Sequence, residues 1–359
     1  MHRLEELIAL PGISGHEDAV IAYMRQQFAL HADAVSVDWL GNVIARIGPE
    51  QGQPRIMVFA HMDELGLLVR KLEPNGFLRV QRLGGIPEKS LQAQRVVVQG
   101  SQGPLPGVIG TKSHHLTSPD EKTQGLSVTQ LYVDIGARDR AEAEAMGVRV
   151  GTPITYAPAF ARLGSDLISG KTLDNRCGCW TLLRLLDLLR AQPVPPTVYL
   201  VATVQEEFHL QGAIPVVKAI QPDLAICLDI ALATDTPDLS DQGEVMVGKG
   251  PVIQTFMFHG RGSLAGLIPN PYLVDYVAKI AEQRSIGYQY GVTVGALTDA
   301  SYVHLAGRGA PAIDLGYPTR YTHSPIETCS LHDLDALLAL LHALLTALDT
   351  LPDLRRGRA

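Results

Sequence analysis

Five short segments set side chains of metal-ligand type directly behind apolar runs. His61, Asp63 and Glu64 follow RIMVFA (55–60), and Asp174 opens a leucine-rich stretch. Glu206 and Glu207 follow VYLVATVQ (198–205), Asp229 ends LAICLD (224–229), and His323 stands in YTHSP (321–325), shortly after PAIDLG (311–316). In an open α/β sheet, ligands gather outside the carboxyl ends of the strands, so five such placements predict a single site at one rim. Two imidazoles with three or four carboxylates suit a pair of borderline divalent ions better than one ion. That donor set favours zinc, with cobalt or manganese as alternatives. The charges match, because two divalent ions carry about +4 and three carboxylates with a bridging hydroxide about −4. Such a pair ionises a bridging water and polarises a carbonyl or phosphoryl oxygen. Without metal, the carboxylates repel one another and some stay protonated.

The elements that must hold these residues follow from periodicity. The runs at 55–60, 198–204 and 224–230 have the apolar continuity of strands buried on both faces, and 311–316 adds another. Leu182, Leu183, Leu185, Leu186 and Leu189 make 176–190 an amphipathic helix, and helices are expected at 270–282 and 331–348. After the Pro11-Gly12 turn a helix should run towards residue 30. Ser14 or Gly15 would cap it, and Val20, Ile21, Met24 and Phe28 would form its apolar stripe. Gly41-Asn42, between alternating runs, signals a hairpin. From residue 66 the texture changes to short alternating runs cut by Gly and Pro, with one helical piece at 139–146. Alternating strands and helices on either side of this region predict a three-layer α/β/α domain interrupted by a small β-barrel-like insertion.

Composition bounds the function. The chain has 359 residues, 46% apolar and 19% charged, so it can bury a large core. A net charge of −7 argues against a general nucleic-acid binder. The most apolar stretch, 336–348, contains His342 and is too short to span a bilayer. Glu5 and Glu6 ahead of a short apolar run are unlike a signal peptide, so a cytoplasmic location is expected. The four cysteines, Cys177, Cys179, Cys227 and Cys329, are too few and scattered for a disulfide framework. The Cys177-Gly-Cys179 pair reads as helix packing.

The ordered set PGISGHE (11–17), HMDELG (61–66), LDNRCG (173–178), VQEE (204–207), LDIALATDTP (228–237) and RYTHSPIE (320–327) resembles the glutamyl aminopeptidase and tetrahedral-aminopeptidase family of co-catalytic metallopeptidases. The resemblance spans nearly the whole chain. It implies a phosphorylase/hydrolase-like catalytic domain from 1–65 and 162–359, with 66–161 inserted as a β-rich oligomerisation domain. It implies that Asp174 bridges two divalent metal ions, with His61 and Asp229 completing one site and Glu207 and His323 the other. Glu206 would be the general base that moves a proton from water to the leaving amine. Asp63 would hold the second nitrogen of His61. A non-proline cis bond would follow Asp174. The implied activity is removal of N-terminal residues from short peptides by a metal-bridged hydroxide, inside a tetrahedral dodecamer, with neither nucleic acid nor membrane as partner.

Other residues carry plainer expectations. His2, His16, His31, His259, His332 and His342 are read as structural or exposed, His114-His115 as interface or core packing, and Lys171 and Arg176 as loop and helix-start charges. Asp235 is read as a turn or hydrogen-bonding residue, and Asp299 as either a substrate-side or a turn-capping group. Phe208 and His209 stand where the family has small residues, so they bear on the substrate pocket. Three alternatives are another dimetal amidohydrolase or deacylase, a glycosidase using Glu206 and Glu207, and an inactive peptide-binding scaffold.

Overall fold

The strand Arg55–His61 alternates between two cores. Ile56, Val58 and Ala60 enter a large apolar cluster, while Met57 and Phe59 enter a second one on the opposite face. Period-two side-chain placement makes this a central strand covered on both sides. The computed structural model describes residues 1–260 and 265–357. The chain begins with α1 (His2–Ala9), α2 (Asp18–Phe28), β1 (Ala34–Val37), β2 (Val43–Ile47) and β3 (Arg55–His61). It then builds β4 (Gly66–Leu72), β5 (Leu78–Leu83), α3 (Glu88–Leu91), β6 (Arg95–Gly100), β7 (Gly103–Ile109), β8 (Tyr132–Asp134), α4 (Arg140–Ala145) and β9 (Pro153–Tyr156). It returns through β10 (Phe160–Leu163), β11 (Leu167–Gly170), α5 (Leu173–Ala191), β12 (Thr197–Thr203), α6 (Ala213–Ile220), β13 (Leu224–Leu232) and β14 (Val252–Phe258). The last elements are β15 (Gly266–Leu267), α7 (Pro271–Gln283), β16 (Gln289–Val294), α8 (Ala300–Val303), β17 (Ala312–Arg320), β18 (Glu327–Ser330) and α9 (Leu331–Ala347).

The main sheet has twelve strands among the described residues, with β12, β3, β13 and β17 adjacent and parallel at its centre. Helices α1, α2, α5, α7 and α9 pack on one face, and α6 and α8 on the other, giving the three-layer α/β/α arrangement. Helix α5 buries Leu182, Leu183, Leu185, Leu186 and Leu189. Each contributes about 2 kcal/mol of transfer free energy. The other sheet closes as a six-strand barrel in the order β4-β5-β8-β7-β6-β9, around Leu78, Val80, Val98, Ile109, Val133 and Ile154. Closure leaves the barrel without an unpaired edge.

Three features differ from or go beyond these expectations. The N-terminal region is two helices rather than one following the turn, and α2 starts after Glu17, with neither Ser14 nor Gly15 capping it. Strands β14 and β16 and helix α6 were not legible, since Gln254, Thr255 and Gly291 interrupt the strand patterns. After Leu351, Leu354 packs against the core, and Asn270 Nδ2 donates to the Leu354 carbonyl at 2.6 Å. Among the described residues, no helix is long and apolar enough to cross a membrane.

Candidate active site

The parallel strands deliver their carboxyl ends to one rim. His61 ends β3, Glu206 and Glu207 lie just past β12, Asp229 lies near the end of β13, and His323 follows β17. Asp174 enters from the start of α5, where Asp174 and Asn175 depart from helical angles and the bond between them is cis. The two oxygens of Asp174 face different imidazoles. Oδ1 is 3.0 Å from His61 Nε2, and Oδ2 is 3.7 Å from His323 Nε2. Asp229 Oδ1 and Glu206 Oε2 each lie 3.9 Å from His61 Nε2, and Glu207 Oε2 lies 3.8 Å from His323 Nε2. Two triads, His61–Asp174–Asp229 and Asp174–Glu207–His323, each have ligand atoms within 4.8 Å of one another. His61, Glu206 and Glu207 form a third such group. His61, Asp174, Glu206, Glu207, Asp229 and His323 are thus brought to one place, and the adjacent glutamates diverge towards different imidazoles.

A layer of carboxylates and carbonyls holds these side chains. Asp63 Oδ1 sits 3.3 Å from His61 Nδ1, off the line of a hydrogen bond. Its better-formed bonds are to the main chain, since it accepts from the N–H groups of Glu206 (3.0 Å) and Glu207 (3.1 Å). It also accepts from Ser14 Oγ (2.7 Å). Glu17 accepts from the Gln205 N–H, and Asn42 grips both ends of the same loop, accepting from Val204 N–H and donating to Gly212 O. Gln205 has φ 55°, so the loop needs these ties to hold a left-handed residue. On the other side, Glu327 accepts from the N–H of Asp174 (2.9 Å) and of His323 (2.8 Å). His323 Nδ1 lies 3.1 Å from the carbonyl of Gly85, which belongs to the barrel. A carbonyl only accepts, so Nδ1 carries the proton and Nε2 is left free to ligate. Beneath the site, Glu64 is fully buried between Lys171 Nζ, at 2.6 Å, and Arg176, which donates to Leu7 O.

The electrostatics require compensation. Burial first, then neighbouring carboxylate charges, push Glu206, Glu207 and Asp229 well above the usual carboxyl range, although His61 opposes this. Burial disfavours charge on His61, yet Glu206 and the Asp174 contact outweigh it and hold the imidazole well above its ordinary value. Glu207 Oε1 is buried and lacks a hydrogen-bond partner. Four carboxylates crowded around two imidazoles, one with an orphaned oxygen, form a donor set that divalent cations fit, because cations neutralise what the imidazoles cannot.

Several side residues lie elsewhere than expected. Lys171 and Arg176 are not loop charges but the buried partners of Glu64. His259 and His209 line the cavity above the cluster, about 640 Å³ in volume. His114 and His115 are exposed in a short 3-10 turn, so they do not pack in a core. Asp235 pairs with Arg320. Asp299 makes no side-chain cap and instead accepts from Thr203 Oγ1 at 2.8 Å. Cys177 and Cys179 are buried helix-packing residues. Glu17, Asn42, Gly85 and Glu327 were missed as supports. Glu17 and Glu327 stand inside the quoted motifs PGISGHE and RYTHSPIE, which was the available signal.

The model of the M42 glutamyl aminopeptidase family matches residues 41–340. SgcX of Escherichia coli (strain K12) is 44% identical over 342 residues, covering 95% of this chain and 92% of its own. A TET aminopeptidase of a marine-sediment archaeon of the Thaumarchaeota superimposes with TM-score 0.91 at 33% identity, covering 97% of this chain and 96% of its own. The TET1 peptidase of Pyrococcus horikoshii, which can assemble into a tetrahedron or a large octahedral shell, gives TM-score 0.87 at 32% identity, covering 97% and 99%. These findings do not favour the deacylase, glycosidase and scaffold alternatives. The chain belongs to the M42 glutamyl aminopeptidase family and is a metal-dependent aminopeptidase.

Proposed function

We propose that this chain removes N-terminal residues from short peptides with two divalent ions per subunit, zinc by donor chemistry, with cobalt or manganese as alternatives. His61, Asp174 and Asp229 would hold one ion, and Asp174, Glu207 and His323 the other. The observation that carries this reading is the split of the Asp174 carboxylate between two imidazoles, 3.0 Å and 3.7 Å away. When bound, the ions supply Lewis acidity, which lowers the pKa of water and polarises the scissile carbonyl. Glu206 Oε2 is the general base and catalytic residue. It takes the proton of the attacking water and passes it to the leaving amine. Asp63 holds the Glu206–Glu207 main chain and so sets the direction of that proton transfer.

Residues 66–161 act as an oligomerisation domain beside the catalytic domain of 1–65 and 162–359, and the assembly is a tetrahedral dodecamer working in the cytoplasm. The shells formed by the Pyrococcus horikoshii relative support this assembly. The test combines metal analysis, sizing in solution, and hydrolysis of free-amine and N-blocked aminoacyl substrates with and without chelator. Two metal equivalents, a dodecamer, and chelator-sensitive cleavage confined to free amines are expected. Preference for N-blocked substrates would sink the aminopeptidase assignment, and chelator resistance would sink the metal one.

A further inference from the structure

The turn that carries Asp174 has no regular helical start. Thr172 lies in the left-handed region at φ 56°, and Asp174 and Asn175 depart from helical angles. Side chains and carbonyls of other elements hold it. Tyr317 Oη donates to Leu173 O at 2.8 Å, Asn175 Nδ2 donates to Leu228 O at 2.8 Å, and Glu327 accepts from Asp174 N–H at 2.9 Å. Those ties run to β17, β13 and β18. Glu64 supplies a tie to the segment that carries His61, three residues before it. Its Oε2 accepts from Lys171 Nζ at 2.6 Å, and its Oε1 lies 3.7 Å from Arg176 Nη2. Asp174 therefore stands three residues after one cation and two before another, and both face the same carboxylate. Glu64 is itself fixed. Its N–H donates to Gly12 O and its Oε1 accepts from Gly12 N–H, each at 2.9 Å. A Cβ on Gly12 would stand 2.9 Å from Arg176 Nη2, so the guanidinium fills the space a side chain would need. Glu64, Lys171 and Arg176 are all buried, where solvent and salt screen charges little.

We propose that Glu64 is a positioning residue for the metal centre: by gripping Lys171 and Arg176 it sets the Asp174 carboxylate against His61. The proposal rests on the dimetal reading and adds a residue to it. Glu64 belongs to neither ligand triad and acts through Asp174. The physical reason is that a ligand on an irregular turn is placed only as well as its supporting contacts. A charge-assisted hydrogen bond is the strong member of that set, and outer partners of this kind orient the groups that touch the ion.

The metal-free full-length protein is titrated with cobalt(II), whose visible absorption reads its coordination geometry. Wild-type protein should bind the ion, and a wild type that binds none overturns the metal reading and this proposal with it. The test variant combines Glu64→Gln with Lys171→Met. It removes one anion and one cation, so the buried charge balance is kept, and the Gln oxygen can still accept from Gly12 N–H. In the folded double variant, cobalt affinity should fall by about 10–100-fold and the spectrum at saturation should change. Wild-type affinity, or an unaltered spectrum at saturation, overturns the proposal and leaves the metal reading intact, because a merely structural tie would lower the melting temperature and move neither. Glu64→Asp keeps the charge and draws the acceptor back by one methylene. It decides the matter by the same two readouts if the double variant does not fold.

Discussion

Asp63 and Glu206 are joined through the main chain. Oδ1 of Asp63 accepts the Glu206 N–H at 3.0 Å, and its other oxygen accepts from Glu207 N–H and from Ser14 Oγ. One buried carboxylate therefore ties the two glutamates to the strand end that carries His61. In Asp63→Asn, one acceptor becomes an amide donor facing N–H groups. The variant should fold, lose about 10–100-fold in metal affinity, and lose turnover in parallel. Isothermal titration with zinc checks this, and wild-type affinity would remove Asp63 from its supporting role.

Glu206→Gln separates proton transfer from ligation. The amide keeps the shape but cannot accept the proton of water, so kcat should fall by about 10²–10⁴-fold while metal content is unchanged. Turnover near wild type in metal-loaded Glu206→Gln protein would remove Glu206 as the base.

The inserted region also touches the candidate site. Gly85 offers its carbonyl to His323 Nδ1 at 3.1 Å, and a Cβ on Gly85 would stand 2.9 Å from that same nitrogen. Gly85→Ala should displace the ring and weaken one of the two metal equivalents by about 10–100-fold, leaving the other unchanged. Stoichiometry across a metal titration reads this out. Equal weakening of both equivalents would argue against a contact specific to the His323 side.

Asp314, on β17, is fully buried and accepts from Thr298 Oγ1 at 2.7 Å, and burial pushes its carboxyl up to about 7. The unfolded chain ionises near its ordinary value, about pH 4. Stability is therefore lost as pH rises from there towards 7, because the unfolded carboxyl releases its proton first. Asp314→Asn removes this dependence. The melting temperature of the variant relative to wild type should rise across that window and level off above it. A pH-independent difference would contradict the raised value.

The chemistry of the site was legible in the chain because it depends on residue type at strand ends. An apolar run long enough to be a buried strand announces where its carboxyl end falls, and His61, Glu206, Glu207 and Asp229 stand there. Asp174 and His323 needed the motif as well as the pattern, since a helix start and a loop carry no such positional rule. The amphipathic helix around Leu182–Leu189 and the β-rich texture after residue 66 were equally readable, because local periodicity survives in any tertiary setting. The partners were not readable. Ser14 reads locally as a helix cap, yet its hydroxyl goes to Asp63. Lys171 reads as a loop charge, yet it is buried on Glu64. Asn42 reads as a hairpin turn, yet it clamps the loop carrying Glu206, and Gly85 in the inserted barrel orients His323. Sequence alone determined which side chains could ligate and act, because those are properties of single residues and short patterns. Only the tertiary structure decided what holds them, because a hydrogen bond between residues far apart in the chain depends on how the layers meet and leaves no local trace.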